Sequence, residues 1–156
     1  MAIILCDFDG TIVPQVPDGY CDVDTGAERV LKKLIDAGHL IVLWTCRNNS
    51  KSNPYNYTNG RFRDETSLEE AVRWFIDRNI PLYGVNEVPN EKSLVGVSRK
   101  ILGDLLIDDT CIGIPIVWGD VTYVSYETGE FIYNYRTYSV DWMAIEALLR
   151  QRKLIL

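Results

Sequence analysis

The residues Ile3-Ile4-Leu5-Cys6-Asp7-Phe8-Asp9-Gly10-Thr11 lie near the start of the 156-residue chain and carry the main evidence for its fold class. Four consecutive apolar residues predict a short strand covered on both faces, which is typical of a parallel sheet. Residues two apart in an extended segment face the same side, so the carboxylates of Asp7 and Asp9 converge while Phe8 points away. Gly10 then permits a sharp turn of the backbone. The segment therefore predicts a buried strand that ends in a pair of acids.

Short apolar runs and helical patterns alternate along the rest of the chain, which predicts an α/β fold with a parallel sheet. The predicted strands are residues 3–6, 40–44, 82–85, 105–107 and 114–118, and the predicted helices are residues 25–37, 67–78, 92–102 and 140–152. Thr25 is expected to cap the first helix, with Glu28 completing a capping box. Residues 121–126 and 131–135 flank a glycine-containing loop and predict a hairpin. Because no linker or repeat is evident, residues 1–156 are predicted to form one domain.

Composition and charge exclude several classes of protein. The chain is 47% hydrophobic and 24% charged, as expected for a globular domain rather than a disordered chain. Its 16 basic and 22 acidic residues give a net charge of −6, which argues against nucleic acid or an anionic membrane as the main partner. The N-terminus has no signal-peptide pattern, and no apolar run approaches the ~20 residues of a spanning helix. We therefore expect a cytoplasmic protein without a membrane partner.

The cysteines and the single histidine give no indication of a zinc site. Cys6, Cys21, Cys46 and Cys111 are scattered without Cys-x-x-Cys spacing, and reduced thiols are the expectation for a cytoplasmic protein. His39 precedes a predicted strand and is expected to be a surface or capping residue rather than a ligand. If this chain binds a divalent cation, we therefore expect its ligands to be oxygen atoms.

Further polar residues follow the other predicted strands. Thr45 ends the second strand, Asn86 follows the third, and Asp108 and Asp109 end the fourth. Because ligands bind at the carboxyl edge of open α/β sheets, these side chains are expected to lie close to the first pair of acids. Two neighbouring acids repel each other unless a cation neutralises them, and a set of carboxylates favours Mg²⁺. Lys100, eight residues before Asp108, can reach over the carboxylates.

Each of these signals also has a plain structural interpretation. Asp9 and Gly10 can simply form a turn, and Asp108 and Asp109 can cap a helix or form a turn. A threonine at the end of a strand is commonly structural, and Lys100 can be a solvated helix residue. The order of the signals along the chain is more informative than any one of them.

That order resembles one family. An Asp-Phe-Asp-Gly-Thr segment (residues 7–11) is followed by a strand ending in Thr45, then by Lys100, then by Leu-Leu-Ile-Asp-Asp (residues 105–109). This arrangement resembles the haloacid dehalogenase-like (HAD) superfamily of Mg²⁺-dependent phosphohydrolases over residues 2–110. The resemblance implies a Rossmann-like three-layer sandwich with a central parallel sheet of order 3-2-1-4-5, to which a C-terminal β-hairpin and helix are added. A response-regulator receiver domain fits less well, since its phosphorylated Asp ends a later strand.

The resemblance implies a role for each matched residue. Asp7 would be the nucleophile that forms an aspartyl-phosphate. Asp9 would be the general acid that protonates the leaving oxygen and then the base that activates water. Thr45 would hold a phosphoryl oxygen, and Lys100 would offset the charge of Asp7 and of the transferring group. An acid at position 9 favours phosphate chemistry, since dehalogenase members lack it.

The resemblance also implies the ligands of a Mg²⁺ cofactor. These are Asp7, Asp109 and the backbone carbonyl of Asp9, with Asp108 beside them and able to exchange roles with Asp109. Substrate contacts are expected from residues that flank the motifs, namely Gly10, Thr11, Cys46, Arg47 and Asn86.

The gaps between the motifs are too short for a folded cap domain, so an open site is expected. Loop 47–66 and hairpin 121–135 are the candidates for a lid. The tyrosines of this region can stack on a base or sugar, although alternate aromatic residues in strands also pack on one another; they are Tyr123, Tyr126, Tyr133, Tyr135 and Tyr138.

The predicted function is a Mg²⁺-dependent phosphatase. Its substrate would be a small phosphorylated molecule or a phosphorylated macromolecule, and the net charge disfavours nucleic acid. A phosphotransferase, and a non-catalytic domain that binds a phosphorylated ligand, are the alternatives. Whether the chain forms a homo-oligomer is left open by the sequence.

Overall fold

The computed structural model describes residues 1–49, 57–58, 61–62, 65–89 and 103–156. The strands in these ranges are β1 (Ile3–Cys6), β2 (Gly19–Tyr20), β3 (Leu40–Leu43), β4 (Tyr57–Thr58), β5 (Arg61–Phe62), β6 (Gly84–Val85), β7 (Leu105–Ile107), β8 (Ile116–Ser125) and β9 (Phe131–Val140). The helices are α1 (Ala27–Asp36), α2 (Ser67–Asp77) and α3 (Trp142–Gln151). The predicted α/β class is confirmed, and the predicted helix at 92–102 lies outside the described residues.

A four-stranded parallel sheet occupies the middle of the described fold, with strand order β6-β3-β1-β7. Ile3 pairs with Leu40 and Ile4 pairs with Leu105, so β1 lies between β3 and β7. All three strand pairs are parallel, and every strand therefore ends at the same edge of the sheet. The residues that follow these strands are brought to that edge together.

The predicted fifth strand does not join this sheet within the described residues, so the order 3-2-1-4-5 is not confirmed. Residues from Ile116 onward instead form β8, which pairs antiparallel with β9 on one side and with β2 on the other. The sequence predicts separate strands at 114–118 and 121–126, but Gly119 and Asp120 pair with Thr137 and Arg136 and join them into one strand, with a register shift between Val121 and Tyr123. The predicted hairpin is present, with strands longer than the sequence pattern indicated.

The predicted cap of the first helix is wrong. Gly26, with φ of +86°, is the N-cap of α1. The hydroxyl of Thr25 donates to the carbonyl of Ile12 at 2.7 Å and accepts the N–H of Ala27 at 3.4 Å. Because the cap lies one residue later than predicted, the expected capping box with Glu28 does not form. A capping box is present in α2, where Thr66 and the third helical residue bond reciprocally.

The main core lies on one face of the parallel sheet. Ile4, Cys6, Ile41 and Leu43 belong to a single apolar cluster with residues of α1, α2 and α3. A smaller cluster around Leu5 covers part of the opposite face. The third layer of the predicted sandwich would require the helix at 92–102, which is outside the described ranges. Among the helices that are described, none has the length and hydropathy needed to cross a membrane.

His39, predicted to be a surface or capping residue, is buried rather than at the surface. Its Nδ1 accepts the N–H of Ala2 at 3.0 Å, and its Nε2 lies 2.6 Å from the carbonyl oxygen of Leu154. The ring therefore joins the residue before β1 to a residue after α3. The four cysteines are free, as predicted.

Candidate active site

β1 runs directly into the turn that carries the first two acids. The N–H of Asp7 donates to the carbonyl of Ile107 at 2.9 Å, so Asp7 remains beside the end of β7. The carbonyl of Phe8 then accepts the N–H groups of residues 11–13. Gly10 adopts a left-handed φ of +74°, a conformation that glycine reaches without steric cost. This turn holds the Asp7 carboxylate at the carboxyl edge of the sheet.

Three carboxylates converge at this edge. Oxygen atoms of Asp7, Asp108 and Asp109 all lie within 4.8 Å of one another. The buried hydroxyl of Thr11 donates to Asp7 Oδ2 at 3.0 Å and accepts the N–H of Asp109 at 3.0 Å. The hydroxyl of Tyr138, in β9, donates to Asp109 Oδ2 at 2.9 Å. The acids that follow β1 and β7 therefore meet, as the motif spacing predicted.

The backbone at Gly10 packs against the carboxylates. A Cβ atom at position 10 would lie 2.6 Å from Asp109 Oδ2, which is closer than real contacts allow. The Gly10 carbonyl accepts the N–H of Val140 at 2.9 Å, and the Thr11 carbonyl accepts the indole N–H of Trp142 at 2.8 Å. The C-terminal hairpin and helix thus hold the turn in place, and they are part of the site rather than an addition beside it.

The electrostatics of this carboxylate cluster suit a cation. Burial, opposed by two hydrogen bonds and aided by the charges of Asp108 and Asp9, raises the pKa of Asp7 from its ordinary value of 3.8 to about 7. The available donor atoms are carboxylate oxygens, the ligand type that Mg²⁺ prefers in proteins. The residues present therefore fit a hard divalent cation.

Although the sequence predicts that the carboxylates of Asp7 and Asp9 converge, Asp9 is paired with Arg47 and is not among the three clustered carboxylates. Arg47 Nε and Nη2 donate to the two carboxylate oxygens of Asp9 at 2.8 and 2.7 Å. The same guanidinium lies 4.8 Å from the centroid of the Phe8 ring, and its Nη1 donates to Glu70 Oε2 at 2.6 Å. Although burial opposes the charged form, the contacts with both carboxylates raise the pKa of Arg47 above its ordinary value. This predicted substrate-binding residue is thus held between two acids.

Glu70 and Tyr126 complete the buried polar group around Arg47. The hydroxyl of Tyr126 donates to Glu70 Oε2, and burial together with this carboxylate raises the pKa of Tyr126. Sequence reasoning missed Glu70, which is buried on α2 beside Trp74. The sequence did contain a signal for Glu70, because an acid at helical spacing from apolar residues lies on the face of the helix that packs against the core. Ile76, on the same helix, is exposed.

Thr45 and Asn86 lie at the same edge of the sheet. The N–H of Trp44 donates to the carbonyl of Cys6 at 2.8 Å, so Thr45 follows beside the end of β1. The N–H of Thr45 donates to Asn86 Oδ1 at 2.8 Å, and its hydroxyl accepts the N–H of Arg47 at 3.2 Å. Asn86 therefore orders the backbone around the threonine that was predicted to hold a phosphoryl oxygen.

The other predicted site residues have different outcomes. Cys46 is exposed on the segment between Thr45 and Arg47. Lys100 lies outside the described residues, and so does much of loop 47–66. The predicted roles of Lys100 and of that loop remain predictions.

Four of the five tyrosines of this region separate into two groups, and the fifth, Tyr133, is exposed and stacks on Phe131. Tyr138 and Tyr126 reach the site through Asp109 and Glu70, by hydrogen bonds rather than by an exposed stacking face. Tyr123 and Tyr135 pack on each other with ring centroids 5.5 Å apart. Some tyrosines of the hairpin thus contact the site, and others pack on each other.

Comparisons with known proteins give one informative likeness. No protein-family model matches the chain, and no curated protein matches it. A solved structure of a conserved protein from Bacteroides thetaiotaomicron is similar to it, with a TM-score of 0.61 and 26% sequence identity. The likeness covers 97% of this chain and 91% of that one. It supports the mixed α/β fold.

Proposed function

We propose that the chain is a Mg²⁺-dependent phosphatase of the HAD superfamily, which hydrolyses a phosphate monoester through an aspartyl-phosphate on Asp7. The observation that carries the proposal is the convergence of Asp7, Asp108 and Asp109 within 4.8 Å. These acids belong to the two motifs whose order along the chain resembles that superfamily. The five-stranded version of the fold and a cytoplasmic location are part of the same proposal.

The cation would be held by Asp7 and Asp109, with the carbonyl of Asp9 and the carboxylate of Asp108 beside them. Asp108 Oδ1 accepts the N–H and the hydroxyl of Thr110, and this fixes the orientation of its carboxylate. When bound, Mg²⁺ supplies positive charge that stabilises the transferring phosphoryl group. Phosphoryl transfer depends mainly on positioning and on such charge neutralisation.

The protein side chains perform the bond changes. A carboxylate oxygen of Asp7 attacks phosphorus as the bond to the leaving oxygen breaks, and Asp9 gives that oxygen a proton. Water then attacks the aspartyl-phosphate, its proton passes to Asp9, and the Asp7 carboxylate is restored as phosphate leaves. Thr45 and Lys100 are proposed to hold and neutralise the phosphoryl oxygens. The fixed turn after β1 keeps the nucleophile in place between the two steps.

The test is phosphate release from an aryl phosphate and from a panel of nucleotides and sugar phosphates, with Mg²⁺ and with EDTA. Turnover is expected to require the metal and to be lost in Asp7→Asn, while Asp36→Asn, an exposed acid on α1, retains it. Acid quenching followed by mass spectrometry should detect phosphate on Asp7. If Asp7→Asn turns over as fast as the wild type, the proposal is wrong. Transfer of phosphate to an added alcohol would instead indicate a phosphotransferase.

A further inference from the structure

Arg47 is held from two opposite sides. Two of its nitrogen atoms donate to the oxygens of Asp9, while Nη1 donates to Glu70 Oε2 at 2.6 Å and to the carbonyl of Ser67 at 3.2 Å. The side chains of Arg47 and Glu70 are only 8% and 4% exposed. A bidentate contact fixes the plane of the carboxylate relative to the guanidinium. Hydrogen bonds on the opposite side of the guanidinium then fix the orientation of the guanidinium itself. The orientation of Asp9 is thereby linked to a carboxylate on α2.

Tyr126 extends this link to the hairpin. Its hydroxyl donates to the same oxygen of Glu70 that Arg47 contacts. The position of Tyr126 is itself fixed, because its N–H donates to the carbonyl of Asp18 at 3.1 Å and the hydroxyl of Ser125 donates to Asp18 Oδ2 at 2.6 Å. A buried acid with two donors on one oxygen has little freedom to turn. The chain of contacts therefore runs from the end of β8 to Asp9.

We propose that Glu70 and Tyr126 are positioning residues, which act through Arg47 to orient the Asp9 carboxylate toward the attacking water. This inference rests on the proposed function. Each carboxylate oxygen has two lone pairs, so Arg47 occupies one on each oxygen of Asp9 and leaves another to accept a proton. In this step the water oxygen bonds to phosphorus, its proton passes to Asp9, and the bond from phosphorus to Asp7 breaks. The contacts around Arg47 serve the hydrolysis of the aspartyl-phosphate.

The test separates the two chemical steps. Enzyme in excess over 4-nitrophenyl phosphate, with Mg²⁺, is rapidly quenched, and nitrophenolate and inorganic phosphate are measured at each time. Nitrophenolate release reports formation of the aspartyl-phosphate, and it needs little help from an acid because nitrophenolate is a good leaving group. Phosphate release reports the attack of water. The variants are Tyr126→Phe and Glu70→Gln, and the control is Tyr133→Phe, the same substitution at an exposed tyrosine of the hairpin.

In both variants phosphate release is expected to slow about tenfold. This is less than the 10²–10⁴-fold that a general base contributes, because Asp9 itself is still present. Nitrophenolate release should stay within about twofold of the wild type, because Asp7 itself is unchanged. A variant that had merely lost folded protein would give less of both products at unchanged rate constants. Equal slowing of both steps, or no slowing beyond Tyr133→Phe, would overturn the assignment. Absence of Mg²⁺-dependent product from the wild type would overturn the proposed function, and the positioning role with it.

Discussion

Replacing Asp7 by asparagine is expected to stabilise the metal-free protein at neutral pH, although it removes the proposed nucleophile. Asp7 lies beside two other carboxylates, and burial raises its pKa from 3.8 to about 7. An asparagine has nearly the same shape, and its carbonyl can still accept the hydroxyl of Thr11. The substitution therefore removes a poorly solvated charge while leaving the packing almost unchanged.

The size and sign of the effect follow from the pKa. A rise from 3.8 to about 7 corresponds to a penalty of about 4 kcal/mol above pH 7. Partial exposure of the carboxylate to water reduces this to roughly 2 kcal/mol, or an increase in Tm of roughly 4–8 °C for Asp7→Asn. Because the folded state holds the Asp7 proton more tightly, wild-type stability falls as pH rises from about 4 to about 7. The advantage of the variant should therefore be absent near pH 4 and complete above pH 7.

The assay is urea or thermal unfolding of wild type, Asp7→Asn and the control Asp36→Asn in EDTA, across this pH range. Addition of Mg²⁺ should raise the stability of the wild type, by about 2.7 kcal/mol at a hundred times its Kd. The response of Asp7→Asn should be much smaller, since one of the three clustered carboxylates is missing. If Asp7→Asn is no more stable than the wild type at pH 7.5 without metal, the argument from a desolvated carboxylate is wrong.

Three further substitutions test the surroundings of the cluster. Tyr138→Phe removes the hydroxyl that donates to Asp109 and should weaken Mg²⁺ binding about tenfold, measured by calorimetric titration. Gly10→Ala should lower the free energy of unfolding by about 2 kcal/mol and reduce Mg²⁺ binding, because its methyl group would overlap Asp109 Oδ2 at a left-handed φ; unchanged urea unfolding would contradict this. Trp142→Phe removes the indole donor to the Thr11 carbonyl and should cost about 1–3 kcal/mol in the same assay, while Trp118→Phe, at an exposed ring, should cost little.

Local sequence patterns predicted the parallel sheet and the meeting of its acids. Apolar runs that end in Asp7 and Asp108 give both the strand and its polar end, and parallel pairing brings such ends to one edge. The pattern around Thr25 was misleading because the cap lies one residue later, at Gly26, while the Thr25 hydroxyl donates to the carbonyl of Ile12. The division into strands 114–118 and 121–126 was similarly wrong, since Gly119 pairs with Thr137 in the following strand and β8 runs through it.

The buried group around Arg47 could not be predicted from local patterns. Glu70 and Tyr126 are 23 and 56 residues away from their respective partners, Arg47 and Glu70. Their sequence surroundings resemble those of an ordinary amphipathic helix and an ordinary hairpin turn. Only the fold brings them together, and a single sequence carries no record of contacts over such separations.

The hairpin formed by β8 and β9 contacts the site at two separated points, through Tyr126 at its turn and through Tyr138 near its other end. The length of the hairpin therefore sets the spacing between the helix that holds Glu70 and the turn after β7 that holds Asp109. Inserting two residues into each strand would preserve which side chains face the site, yet it would move the turn by about 7 Å. Substitutions of exposed residues on the hairpin should be freely accepted over evolution, because they leave its length unchanged. Changes in its length should not.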